Sequence, residues 1–135
     1  MPQAIYVNLP VTDLVRSMTF FQALGFSFNP KFTNDQAAGL EIADTIFAML
    51  HTPDSFRRFT HKQIADSRNT TEVLIALQLE SKDRVNTLMD QALAAGAREY
   101  REPEDHGFMF GRTFEDLDGH IWELFWLDID QMPSG

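Results

Sequence analysis

Apolar and polar positions alternate with period two near the end of the chain. Ile121, Glu123 and Phe125 fall on one side, and Trp122, Leu124 and Trp126 on the other. The alternation predicts a strand over 120–127. It is entered from a tight turn at Asp118-Gly119, where glycine accepts the positive φ such turns use. Two stretches change to helical spacing. Leu14, Met18, Phe21 and Leu24 form an apolar stripe after the N-cap candidate Asp13 and before Gly25. Val85, Leu88, Met89, Ala92 and Leu93 do the same between Ser81 and Gly96. Further strands are predicted over 5–11, 26–33, 37–42, 45–51, 71–80, 97–101 and 108–114.

The two halves therefore repeat one order, β-α-β-β-β, each about 50 residues long. Phe21-Gln-Ala-Leu-Gly-Phe26 is echoed by Asp90-Gln-Ala-Leu-Ala-Ala-Gly-Ala97. One helix covers only one face of so small a sheet. The expectation is an α+β fold of two paired modules, about 3–51 and 72–128, forming a cup-shaped mixed sheet in a single domain over 1–135. Its shared concave face is where a ligand is expected. The connection over 52–71 is long, and is expected to be a docked crossover or else a lid or subunit contact. It holds a short helix candidate in Asp54–Phe59, whose Phe56 and Phe59 call for burial. The tail, 129–135, reads as loose.

Charge and composition narrow the partners. A net charge of −9 without a basic patch argues against nucleic acid. No apolar run approaches the ~20 residues of a membrane span. The absence of cysteine removes disulfides, thiolate metal sites and a cysteine nucleophile. The start of the chain lacks the basic and apolar regions of a signal peptide, so a cytoplasmic location is expected. A small-molecule ligand and a homodimer are the expected partners.

Three stretches together resemble the vicinal oxygen chelate superfamily, which includes glyoxalase I, extradiol dioxygenases, and fosfomycin- and bleomycin-resistance proteins. They are Val7-Asn-Leu-Pro-Val-Thr-Asp-Leu14, Phe20-Phe-Gln-Ala-Leu-Gly-Phe26 and Phe114-Glu-Asp-Leu-Asp-Gly-His-Ile-Trp-Glu123. The resemblance implies the glyoxalase/bleomycin resistance fold, and lactoylglutathione lyase-like proteins are the nearest branch. In metal-using members, ligands come from the first and last strand of each module. Those positions match Tyr6, Ala48, Leu74 and Glu123, of which only Glu123 is an ordinary ligand. A catalytic divalent ion needs about three protein donors. No cofactor is therefore expected, with a Zn, Ni, Mn or Fe ion as the alternative.

Strand parity puts Tyr6, Asn8, Ile46, Ala48, Leu74, Ala76, Gln78, Ile121, Glu123 and Phe125 on the cup face. Tyr6, Asn8, Leu74, Gln78 and Phe125 are the expected ligand contacts, with Phe108 and Phe110 from the neighbouring strand. Glu123 is the candidate base for taking a proton next to a carbonyl, the chemistry of a lyase or isomerase. Arg112 and His106 are its candidate electrophilic partners, and Arg112 is equally its candidate structural ion pair. The alternative is a protein that binds or sequesters a drug-like molecule without catalysis. His51, His61 and His120 form no metal-ligand spacing, and Trp122 and Trp126 are expected under a helix.

Overall fold

The computed structural model describes residues 1–134. The chain divides into two compact units between Ala65 and Asp66. Gly135, the end of the predicted loose tail, lies outside the described residues. In the first unit β1 (Ile5–Pro10) leads into α1 (Leu14–Ala23), and then β2 (Ser27–Asn29), β3 (Ala37–Ala43), β4 (Ile46–His51) and α2 (Pro53–Arg57) follow. The sheet order is β1-β4-β3-β2, with β1 and β4 parallel and the other pairs antiparallel. The second unit repeats the plan with β5 (Ile75–Gln78), α3 (Lys82–Ala94), β6 (Arg98–Asp105), β7 (Met109–Glu115) and β8 (Ile121–Leu127), in the order β5-β8-β7-β6.

The helices begin where short polar side chains can accept from their free amides. Asp13 accepts from the Arg16 amide and Ser81 from the Arg84 amide. Gly25 and Gly96 follow their last turns in the left-handed region, at φ +90° and +113°. The predicted stripes are the buried sides. Leu14, Phe20 and Phe21 of α1 and Leu9, Leu40 and Leu50 of the sheet make the first core. In the second, Val85, Leu88 and Met89 of α3 pack with Phe114, Trp122 and Leu124. Each such side chain contributes about 1.5–3 kcal/mol by leaving water. Trp122 stacks on Phe114, and Trp126 carries the Lys82 ammonium of α3 over its ring, so both tryptophans lie on the helix side as expected.

Four local expectations are corrected. β2 ends at Asn29 rather than at 33, because Pro30 opens a 3-10 turn capped by the Asn29 side chain. β5 starts at Ile75 rather than at 71. Its partner β8 offers pairing only from Trp122 onward, and Val73 and Leu74 stay exposed. β6 runs to Asp105 through two register irregularities, beyond the predicted 97–101. Phe59 remains 72 % exposed beside the His51 ring instead of entering a core.

The connection over 52–71 serves both units. Thr52 caps α2, and Ser55 and Phe56 of α2 lie against His51. From Asp66 onward the chain packs on the β7–β8 turn. Ser67 Oγ donates to the Asp118 carbonyl at 2.7 Å, and Arg68 donates to the Leu117 carbonyl. Among the described residues, no helix is long and apolar enough to cross a membrane.

Candidate functional site

In each unit the helix covers one face of the sheet and leaves the other open. In the second unit the turn at Asp118-Gly119 sets the register of β7 on β8. Gly111 lies opposite Phe125 and Thr113 opposite Glu123, while Ala76 and Gln78 of β5 lie beside Glu123 and Phe125. Directly paired residues share a face. Ala76, Met109, Thr113, Glu123 and Phe125 therefore line a cleft of about 220 Å³, closed at one side by Arg101 and Glu104. Parity placed Glu123, Ala76, Gln78 and Phe125 together, and they are together. Gln78 is exposed beyond the cleft, and Leu74 precedes the strand and lies outside it.

The ion pair of Glu123 is with Arg101, not with Arg112. Arg101 Nη2 lies 3.3 Å from Glu123 Oε1, its Nε donates to Thr113 Oγ1 at 3.2 Å, and its Nη1 is 3.8 Å from Glu104. The irregularities in β6 fall between Glu99 and Arg101 and between Arg101 and Glu104, and they turn Arg101 onto this face. Arg112 pairs with Leu124 across the strands and so points to the helix side. There it forms a two-pronged contact with Glu99 at 3.1 Å and donates to Asn86 of α3. Phe110 lies opposite Trp126, so it and Phe108 leave the cleft wall to Met109 and Gly111. His106 stands at the β6–β7 turn, 3.6 Å from Glu104 and stacked on Phe108.

This arrangement predicts a pattern of couplings. Arg112→Ala and Glu123→Ala are expected to add in urea unfolding. The Arg101/Glu123 cycle is expected to show about 0.2–1 kcal/mol, the range for half-exposed pairs. The better-buried Arg112/Glu99 pair should exceed it, at about 1 kcal/mol or more. A coupling between Arg112 and Glu123 larger than that between Arg101 and Glu123 would contradict the register.

In the first unit the open face carries Tyr6 and Asn8, as expected, but their neighbours are Phe47 and Met49 rather than Ile46 and Ala48. Ala48 lies opposite Leu40 and is buried. The Tyr6 and Phe47 rings stack at 4.7 Å. Further along, Asn8 donates to the Tyr6 carbonyl, which leaves its Oδ1 facing His51 Nε2 at 2.8 Å. His51 Nε2 therefore donates to Asn8, and Nδ1 accepts from the Ser55 hydroxyl at 2.9 Å. Burial lowers the pKa of His51, in keeping with a neutral ring.

The donor set does not suit a catalytic divalent ion. Two of the matched ligand positions are corrected: Ala48 is buried on the other face and Leu74 precedes β5, and the residues that stand beside Tyr6 and Glu123 are Phe47 and Ala76, which offer no ligand either. Glu123 already has the Arg101 guanidinium against its Oε1. Among the described residues no three His, Asp or Glu side chains gather as a metal site would require.

Residues 3–43 match the family described as bleomycin resistance protein-like N-terminal. No curated protein matches the chain in sequence. Solved structures share the fold over almost the whole chain. A hypothetical protein from S. aureus is 28 % identical over 93 % of this chain and 95 % of its own, with a TM-score of 0.78. A glyoxalase-related enzyme from Fulvimarina pelagi is 21 % identical over 100 % of this chain and 94 % of its own, also at 0.78. A fosfomycin resistance protein from Listeria monocytogenes is 19 % identical over 96 % of this chain and 97 % of its own, at 0.68.

Proposed function

We propose that this chain is a member of the vicinal oxygen chelate superfamily, a reading supported by its fold and its N-terminal match, and that it binds a small molecule at the Glu123–Arg101 cleft without a divalent metal. The observation that carries this reading is the half-buried carboxylate of Glu123 set among Ala76, Met109 and Phe125. Glu123 is tethered by Arg101 on one oxygen, so the other is the natural acceptor for a ligand donor. Ala76, Met109 and Phe125 supply apolar contact for a flat or aliphatic body. Arg112 also borders the cleft, but its guanidinium is held by Glu99; the remaining charges are Glu104 and Glu123 against Arg101, which favours neutral or cationic ligands over anions. Its volume of about 220 Å³ suits a ring or a fragment of a larger molecule, since drug-sized sites run to roughly 300–1,000 Å³.

A second reading is favoured by the contact between Glu123 and Arg101. A carboxylate beside a guanidinium is the minimum set for taking a proton next to a carbonyl and stabilising the resulting oxyanion. This is lyase or isomerase chemistry of the lactoylglutathione lyase type, with Arg101 in the electrophilic role. Sequestration asks less of the site, needing only the carboxylate and the apolar wall.

The test is native mass spectrometry in chelator with metal-free bleomycin and a set of one- to three-ring aromatic amines. At least one is expected to bind the wild type, with affinity reduced about tenfold in Glu123→Gln, the scale of one charged hydrogen bond. Binding that appears only on adding Zn²⁺, Ni²⁺, Mn²⁺ or Fe²⁺, or failure of every probe, would overturn the reading.

A further inference from the structure

The open face of the first unit holds a separate cleft of about 80 Å³ that the Glu123 site does not use. Tyr6 and Phe47, stacked across β1 and β4, stand on one side, and Phe32 stands on the other. Between them the floor is Gly39, and the absence of a side chain there is required. A Cβ on Gly39 would lie 2.8 Å from the Phe32 Cβ, so the glycine lets Phe32 sit down on the sheet. Asn29 fixes the turn that carries Phe32 by accepting from the Lys31 amide. Glu41 lies opposite Phe47 and completes the lining. Among the described residues it forms no ion pair, although Asp54, Glu80, Glu99 and Glu115 each do. Tyr6 and Phe32 remain 48 % and 53 % exposed, so the cleft opens to solvent.

The geometry points to a binding site for the alkylammonium head of an organic cation, with methylated ammonium as the best fit. Aromatic faces attract a cation through their quadrupoles, and a weakly hydrated methylated ammonium gives up little water to reach them. Glu41 supplies the opposite charge at the rim, and the chain's net charge of −9 draws cations toward it. The volume sets the size. A water occupies about 30 Å³ of liquid, so the cleft holds a compact head group rather than a whole drug. The rest of such a molecule extends over the exposed rings. Its lining residues all belong to the first unit and those of the Glu123 cleft to the second.

Choline and its uncharged isostere 3,3-dimethyl-1-butanol are the probes, read by ¹H–¹⁵N NMR on the full chain. Choline is expected to shift the amides of Gly39, Glu41 and Phe47, and the isostere to bind at least fivefold more weakly. Glu41→Gln and Phe47→Leu should each weaken choline about fivefold or more, and Glu123→Gln should leave it unchanged. Spectral dispersion of each variant reports that it is folded. The inference is overturned if the isostere binds equally, if shifts centre on the Glu123 cleft, or if a folded Glu41→Gln binds as the wild type. It is overturned equally by no shift at about 50 mM choline, well above the ~1 mM Kd of a contact worth about 4 kcal/mol.

Discussion

Gly119→Ala is expected to lower stability by about 3 kcal/mol or more, from two separable causes. Gly119 sits at φ +88°, where an L side chain costs about 1–2 kcal/mol. A Cβ there would also lie 2.6 Å from the Ser67 carbonyl oxygen and 2.8 Å from the Arg68 Cα, both backbone atoms. They cannot move aside without loosening the Ser67 bond to the Asp118 carbonyl and the Arg68 bond to the Leu117 carbonyl. Gly25→Ala is the control. Its φ is +90°, yet nothing lies within 4 Å of the added carbon, so only the strain of about 1 kcal/mol applies. Thermal melts should separate the two variants, with Gly119→Ala falling on the order of 10 °C below wild type. Equal losses in both would show that the strand of backbone at 67–68 does not press on the turn.

The same turn explains what the sequence revealed and what it concealed. α1 and α3 were legible because each signal was local, with a polar cap at Asp13 or Ser81, an apolar stripe and a glycine just after the last turn. The face of β8 was legible because Glu123 interrupts an apolar alternation. The face of β7 was not, because both of its sides mix apolar and polar residues. Phe108, Phe110 and Arg112 read as a ligand wall with a cation. A signal was nevertheless present. Phe114 shares parity with Arg112 and stacks on Trp122, which was already expected under the helix. Counting back from the Asp118 turn likewise places Thr113, not Arg112, opposite Glu123. Arg101 was beyond reach, because bulges in β6 break the alternation from which its face would be read. In the first unit, regular pairing counted from the turn after Ala43 would put Phe47 opposite Ile42 and Ala48 opposite Glu41; the irregularity between Glu41 and Ala43 shifts the register, so that Phe47 lies opposite Glu41 and Met49 opposite Gly39. That shift breaks the alternation from which the face is read, so the match of Ala48 to a ligand position is one residue out and puts Ala48 on the wrong face.

Asp116→Ala is the second large effect expected, at about 2–4 kcal/mol, although nothing in the residue pattern singled Asp116 out. Its Oδ1 accepts from the amides of Asp118 and His120, and its Oδ2 accepts from Trp122 Nε1 at 3.0 Å. Alanine would leave these donors without that acceptor around a carboxyl only 9 % exposed, beside the largest buried side chain of the unit. Asp116→Asn is expected to cost less, because one oxygen still accepts, but its amide would confront either the turn amides or the indole N–H. The pH dependence has a definite sign. Burial raises the Asp116 pKa, with the charge of His120 opposing it, so the folded state binds the proton more tightly than the unfolded chain. This group's contribution is therefore greatest below the ordinary carboxylate pKa and declines as pH rises through the elevated folded value. Urea midpoints measured from pH 3.5 upward should show wild type losing stability relative to Asp116→Asn across that window. A gain of wild type over the variant with rising pH would mean that the three donors outweigh burial and hold the carboxylate ionised.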